Sequence, residues 1–398
     1  MVAAAPDVGD PAAAAVTARK RESWPDVYRG IAIIAVVLVH CSGHVLSRLS
    51  PCAWAWYPPA CFNRALQFAV PSFLLVSAYL NAGSLLNSGS RRDWLNLIVR
   101  RLKVIGPPYL LASLVGTWLT DHQTDTAFSA RHFLKAFLLG RCAYHLYFVV
   151  IIVQLYLLLP LLAACMNGFR IRLSGGKILA CRWFENRRSL IVVLVAASAL
   201  QLTAYAANNC LKNIDSLHDF REQFPSVNIE ASLLWYVVPV ALGLWLLEQY
   251  QSTGKIVVPR GAAAIGLIAF AVYVPLSVLA MVEPVNTLAC QIAEWAFTAS
   301  ASLLLVRAAV RLSGSTWFGM LGRNSLTIYL AHPFIIVALD SSFPGLKLLS
   351  PWPAFAVYVF VVLAGSQLLA SLIAVTAGRF RRLQYLSSCS LCRHFSRP

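Results

Sequence analysis

Long apolar runs alternate along the chain with short polar gaps. Ten runs stand out, at approximately 27–46, 64–86, 104–120, 144–166, 189–207, 232–250, 262–282, 287–306, 324–340 and 353–377. A bilayer-spanning helix needs about 20 mostly apolar residues. The pattern therefore predicts an all-α, polytopic membrane helix bundle of about ten transmembrane helices. The first run, "VYRGIAIIAVVLVHCSGHVL", carries Arg29, His40 and His44 inside its apolar stretch. A charge at the bilayer centre costs about 3 kcal/mol. Arg29 escapes by snorkelling to a nearby surface. His40 lies roughly 16 Å further along and does not. Eleven residues at about 100° each return to within about 20° of the start, so Arg29 and His40 share one helical face. His44 follows one turn later on nearly the same face.

Other runs carry polar stripes. Gly322, Ser325, Tyr329 and His332 are spaced 3, 4, 3, which keeps them on one face of the ninth run. Gln291, Glu294 and Thr298 form a similar stripe in the eighth. Ser77 and Asn81 lie one turn apart in the second, with Tyr79 between them. The fourth opens "YHLYF", with His145 and Tyr147 near a surface. The third begins "RRLKVIGPPYLLAS", a basic cluster followed by a Pro-Pro break. A short amphipathic helix is expected before the fourth run, in "SARHFLKAFLLG". Buried histidines, serines and tyrosines in membrane helices also serve as helix contacts. The shared face of Arg29 and His40 is what lifts that pair above this plainer reading.

Composition agrees with a membrane protein. Hydrophobic residues make up 59% and charged residues 12%, against about 25% charged in a soluble domain. The net charge of +17 raises nucleic acid as a partner, but its distribution argues otherwise. Alternating the gaps between two sides puts 25 Lys and Arg residues on one side and 8 on the other. The positive-inside rule then places both termini in the cytoplasm. Residues 1–26 read as a disordered basic tail, 27–380 as one transmembrane domain, and 381–398 as a cytoplasmic C-terminal tail. The first residues contain no apolar core of a signal peptide. The ten cysteines form no zinc-type cluster, and Cys389-x-x-Cys392 stands without a second pair. Cys52 and Cys61 share an outer loop, where a disulfide between them is open.

Four motifs in order resemble the membrane-bound acyltransferase-3 family, which O-acylates surface polysaccharides and related acceptors. Arg29 and His40 match its arginine, ten residues, then histidine, with Asp26 as the acidic lead-in. "PSFLLVSAYL" is similar to its "FFLSGYL"-like run, keeping Ser77, Tyr79 and Leu80, with Ala78 at the glycine. "YHLYFVVIIVQLYLLLP" matches a "HLWFL" run, with Tyr147 at the tryptophan. The pattern G-x-x-S-x-x-I-Y-L-x-H-P is intact from Gly322 to Pro333. The likeness covers about residues 24–380. It departs from the family's Arg-x-x-Arg at Arg100-x-x-Lys103, or Arg101 shifted by one. Lysine keeps the charge but lacks the planar fork that grips phosphate in two places.

The resemblance implies a multi-pass enzyme of a cell inner membrane, with acyl-CoA, acetyl-CoA first, as a donor co-substrate and no tightly bound cofactor or metal. The acceptor would be a hydroxyl of an extracytoplasmic or lipid-linked saccharide, with polysaccharide-synthesis machinery as a partner and no nucleic acid. His40 is then the expected base or acyl carrier, since an imidazole has an unperturbed pKa near ~6.5. Tyr79, Tyr329 and His332 join it as catalytic candidates. Arg29, Arg100, Arg101 and Lys103 are expected to hold the donor's phosphates. His145, Tyr147 and Glu294 are expected to meet the acceptor. The rival reading is a transporter or flippase for a glycan or small anion, which also uses buried ionisable residues. Against it, the chain shows no inverted repeat.

Overall fold

A computed structural model describes residues 22–394, except 52, 87–90, 125–127, 167–169, 173–177, 181–186, 213–231 and 284–286. It is an all-helical bundle. In chain order the helices are α1 (Trp24–Leu46), α2 (Tyr57–Ala65), α3 (Ala69–Leu86), α4 (Arg91–Thr124), α5 (Ala130–Leu139), α6 (Tyr147–Met166) and α7 (Arg187–Lys212). Then come α8 (Val237–Thr253), α9 (Ala262–Leu279), α10 (Thr287–Arg311), α11 (Thr316–Arg323), α12 (Ser325–Ser342) and α13 (Pro351–His394). A three-residue antiparallel pair, Arg170–Arg172 with Ile178–Ala180, lies between α6 and α7.

Among the described residues, eight helical segments are long and apolar enough to span a membrane. The sequence pattern predicts about ten. The other two runs, 144–166 and 189–207, fall on α6, whose described apolar stretch is Tyr147–Leu162, and on α7, part of whose side chains lie outside the described residues. The short amphipathic helix is α5. Ser129 caps its start by accepting from the His132 amide at 3.4 Å, and Gly140 ends it in the left-handed region.

One expectation about helix continuity is corrected. The Pro-Pro pair does not break the third span: α4 runs through Pro107 and Pro108. Each proline costs one backbone bond to the residue four earlier, which membrane helices tolerate where side chains or cavities take up the slack. Helix α13 runs from Pro351 to His394, beyond the last apolar run of the sequence. The N-terminal tail to residue 21 and Cys52 lie outside the described residues, and with Cys52 the open disulfide to Cys61.

Helix α1 is the centre of the bundle, packed against α2, α3, α10, α11, α12 and α13. Its Val27, Tyr28, Ile33, Val36 and Val37 are almost completely buried. The peripheral helices instead expose large apolar side chains: Leu111, Trp118, Leu267, Phe360 and Leu368 are all more than 60% accessible. Water would not tolerate such a belt, and lipid tails cover it. Inside, polar groups pair across helices: Ser72 meets Ser302 at 3.0 Å, and Asn63 donates to Ser42 Oγ at 2.9 Å and to the Val39 carbonyl at 2.7 Å.

Candidate active site

The site is built along α1. At the N-terminal end of that helix, Arg29 bonds to Asp26, one turn earlier. Beside it a cavity of about 250 Å³ opens between α1, α3, α4, α6 and α12. Three guanidinium groups border it: Arg29, Arg101 and Arg323. Arg101 is steadied by donating from Nε to Asn81 Oδ1 at 3.0 Å. Ser77, Tyr156, Ser325 and Tyr329 also line it.

Of the basic cluster on α4, only Arg101 borders this cavity. It shares a face with Val104 and Ile105, which also line it, at spacings of three and four residues. Arg100 and Lys103 project elsewhere and are exposed. Arg323 is a site residue that the sequence pattern did not single out. Its signal lies in "LGRNS", at the start of the ninth run and on the same side of the membrane as Arg29.

About 16 Å further along α1, three imidazoles converge. His40 and His332 pack with ring centroids 4.9 Å apart, and His332 and His145 at 5.5 Å. Each comes from a different element: α1, α12, and the turn that precedes α6. Tyr329 stands beside His145 and His332, at 5.5 and 5.9 Å, and its hydroxyl donates to the His145 carbonyl. Tyr144 packs on His40 at 5.2 Å. His332 is fully buried and His145 is 1% exposed. Both ring nitrogens of His145, and Nε2 of His332, are buried without a hydrogen-bond partner.

Glycine makes this convergence possible. The turn that carries Tyr144 and His145 lies directly on α4 at Gly116, where a Cβ would come within 2.3 Å of the Cys142 carbonyl oxygen. Gly140, at φ +69°, lets the chain leave α5 tightly against the start of α6.

A second cavity, of about 660 Å³, is bordered by Tyr144, which packs on His40 and His145. Tyr144, Tyr147, Trp235 and Tyr236 give it aromatic walls, and Arg141, Gln291 and Glu294 add polar groups. Two glutamines set its Trp235–Tyr236 wall. Gln154 Oε1 accepts from the Leu233 amide at 2.8 Å and Gln201 Oε1 from the Val238 amide at 3.1 Å. These are amides at a helix start, which have no intrahelical acceptor. Glu294 accepts from Gln291 Nε2 at 3.2 Å.

One catalytic candidate falls away from this group. Tyr79 lies two residues beyond Ser77, about 200° around α3, and so faces away from the cavity that Ser77 lines. Its hydroxyl donates to Glu22 at 2.8 Å, and its ring packs on Trp24. His44 is likewise diverted. It bonds to Asp340 at 2.9 Å, which Arg48 also binds at 2.8 Å, with Tyr358 completing the network.

Among the described residues no three His, Cys, Asp or Glu side chains are placed to hold a metal ion. The three clustered rings contact edge to face or tilted, and their nitrogens do not converge on a common centre. The arrangement offers anion-binding guanidinium groups at one end, imidazoles in the middle, and an aromatic, acid-bearing chamber at the other. That is the equipment of group transfer between an anionic donor and a polar acceptor.

Comparison with known proteins bears on which transfer this is. Neither curated proteins nor solved structures provide a match. The family model of the acyltransferase 3 domain matches residues 22–371, which takes in both cavities and all three histidines. The chain therefore belongs to the acyltransferase 3 family, and is a multi-pass membrane acyltransferase.

Proposed function

We propose that this enzyme moves an acyl group, acetyl in the first instance, from acyl-CoA to a saccharide hydroxyl across a cell inner membrane. The observation that supports this reading is that two unlike cavities each end at a tyrosine packed on the histidine cluster, Tyr329 on His145 and His332, and Tyr144 on His40 and His145. The arginine-bordered cavity ends at Tyr329, and the aromatic one begins at Tyr144.

In this reading, Arg29, Arg101 and Arg323 bind the phosphates of CoA through charge-assisted hydrogen bonds. The pantetheine arm enters the same cavity and brings the thioester to His40. The acceptor occupies the larger chamber, stacking on aromatic faces, with Glu294 and Tyr147 holding its hydroxyls and His145 at its inner end. His40 takes the proton of the attacking hydroxyl as its oxygen bonds to the thioester carbon. The C–S bond breaks, and the proton passes to the departing thiolate. Tyr329, already buried beside the histidines, stands on the path between the cavities. Its hydroxyl is engaged with the His145 carbonyl, so its part is to fix that turn.

The arginine-bordered cavity lies on the side that carries most of the Lys and Arg residues, which the positive-inside rule makes cytoplasmic. The test is sidedness. Acyl-CoA does not cross bilayers, so inverted membrane vesicles supplied with labelled acetyl-CoA or succinyl-CoA should acylate the glycan fraction, and sealed right-side-out vesicles should not. Equal labelling in both orientations would refute the cytoplasmic donor site.

A further inference from the structure

His332 sits at the deepest point of the histidine cluster, fully buried. Its Nδ1 lies 3.2 Å from the backbone carbonyl of Ile328, one turn earlier on α12. A carbonyl oxygen only accepts, so Nδ1 carries the proton. In the neutral ring, Nε2 is then a bare lone pair. That Nε2 is buried and meets no donor. A buried acceptor without a partner is costly, so a donor is expected to reach it in the working enzyme. Two rings stand beside it: His40, with centroids 4.9 Å apart and tilted by 38°, and His145, at 5.5 Å and closer to edge-on. The carboxylates that could orient a histidine are engaged elsewhere: Asp340 with His44 and Arg48, and Glu294 with Gln291.

We propose that His332 is the positioning residue of His40: its Nε2 accepts the N–H of the His40 ring and so holds the other His40 nitrogen as the bare base. A carboxylate plays this role behind many catalytic histidines. In this enzyme a neutral imidazole takes its place, with its tautomer set by the Ile328 carbonyl. The proposal rests on the acyl-transfer reading above. During transfer the acceptor oxygen bonds to the thioester carbon and the C–S bond breaks. The hydroxyl proton goes to the free nitrogen of His40, making it an imidazolium whose charge is shared with His332 through the hydrogen bond. The proton then moves to the CoA thiolate. Ester and free thiol result, and both rings end neutral.

Two measurements test this. The first is nitrogen-15 NMR of histidine-labelled full-length protein in detergent, with His332 assigned by its loss in His332→Asn. Protonated Nδ1 and bare Nε2 are expected, and a protonated Nε2 in a neutral ring would overturn the proposal. The second is turnover of acetyl-CoA by His332→Asn, in which the amide nitrogen can still donate to the Ile328 carbonyl but nothing replaces Nε2. The expected result is a kcat at least tenfold lower, with the KM for acetyl-CoA within twofold of wild type. A kcat within twofold of wild type would mean that the Ile328 contact alone matters, and would overturn it. Should the variant fail to fold, the wild-type tautomer decides. Absence of turnover by the wild type with acetyl-CoA and succinyl-CoA would instead overturn the acyl-transfer reading, and this proposal with it, whatever the tautomer.

Discussion

Gly30 and Gly322 bring helices α1 and α11 into backbone contact. A Cβ on Gly322 would stand 1.7 Å from the carbonyl oxygen of Asp26, and one on Gly30 would stand 2.0 Å from that of Phe318. The contact sets Arg29 beside Arg323, because each arginine is the immediate chain neighbour of one of these glycines. Both then border the same cavity.

Gly322→Ala should therefore damage the enzyme out of proportion to one methyl group. Neither neighbour of that methyl is a flexible side chain, so the helices must part. Overpacking of this kind costs about 1–3 kcal/mol or more. The expected outcome is a lower melting temperature in detergent and weakened use of acyl-CoA. Unchanged stability and activity would show that the two helices separate freely.

Arg323→Ala should raise the KM for acyl-CoA about tenfold or more, with little change in kcat. A hydrogen bond to a charged group contributes ~1.5–3 kcal/mol, and a contact made equally in ground and transition states appears in KM. Arg29→Ala should behave alike. Arg100→Ala and Lys103→Ala, whose side chains are exposed outside the cavity, should change KM by less than twofold. Steady-state kinetics on the four variants check the assignment, which fails if the exposed pair matters more than Arg323.

Much of this arrangement is legible in the sequence. The period of α1 gives the shared face of Arg29 and His40, and the 3, 4, 3 stripe gives the faces of Ser325, Tyr329 and His332. Both hold because a helix fixes angular positions whatever surrounds it. What cannot be read is which side of a helix meets which neighbour. Tyr79 and Ser77 sit in the same motif, yet a two-residue offset turns Ser77 to the cavity and Tyr79 to Glu22. Arg101 rather than Arg100 borders the cavity for the same reason. Arg323 joins only because Gly30 and Gly322 let a short helix lie against α1, a contact between residues nearly 300 positions apart. The spans likewise show in hydropathy because apolar residues dominate them, whereas the partner of a polar residue within a span, such as Gln201 accepting the Val238 amide, does not.

Asp340→Asn should lower stability without abolishing chemistry. Asp340 ties His44 and Arg48 of the α1 end to α12 and α13 through Tyr358, and its side chain is 19% exposed. The partial exposure keeps the cost below that of a fully buried pair, at about 1–3 kcal/mol. Thermal unfolding in detergent should show a clear drop, with turnover of the surviving fraction largely retained. A complete loss of turnover in folded protein would draw this network into the reaction itself.

Glu294→Gln and Tyr147→Phe should act on the acceptor and leave the donor alone. Both residues line the aromatic chamber and neither borders the arginine cavity. Transfer to a saccharide should fall by about tenfold, as expected where a hydrogen bond of ~1–1.5 kcal/mol is lost, while the KM for acyl-CoA stays within twofold. A donor effect with an unchanged acceptor response would reverse the assignment of the two cavities.

The most direct test of the central claim is transfer of label from radioactive acetyl-CoA into the glycan fraction of membranes that contain this protein, with His40→Ala alongside at equal abundance. Label with the wild type and a loss of at least a hundredfold with the variant is the predicted result, since a positioned general base contributes about 10²–10⁴ in rate. Equal labelling by both would contradict it and remove His40 from the chemistry.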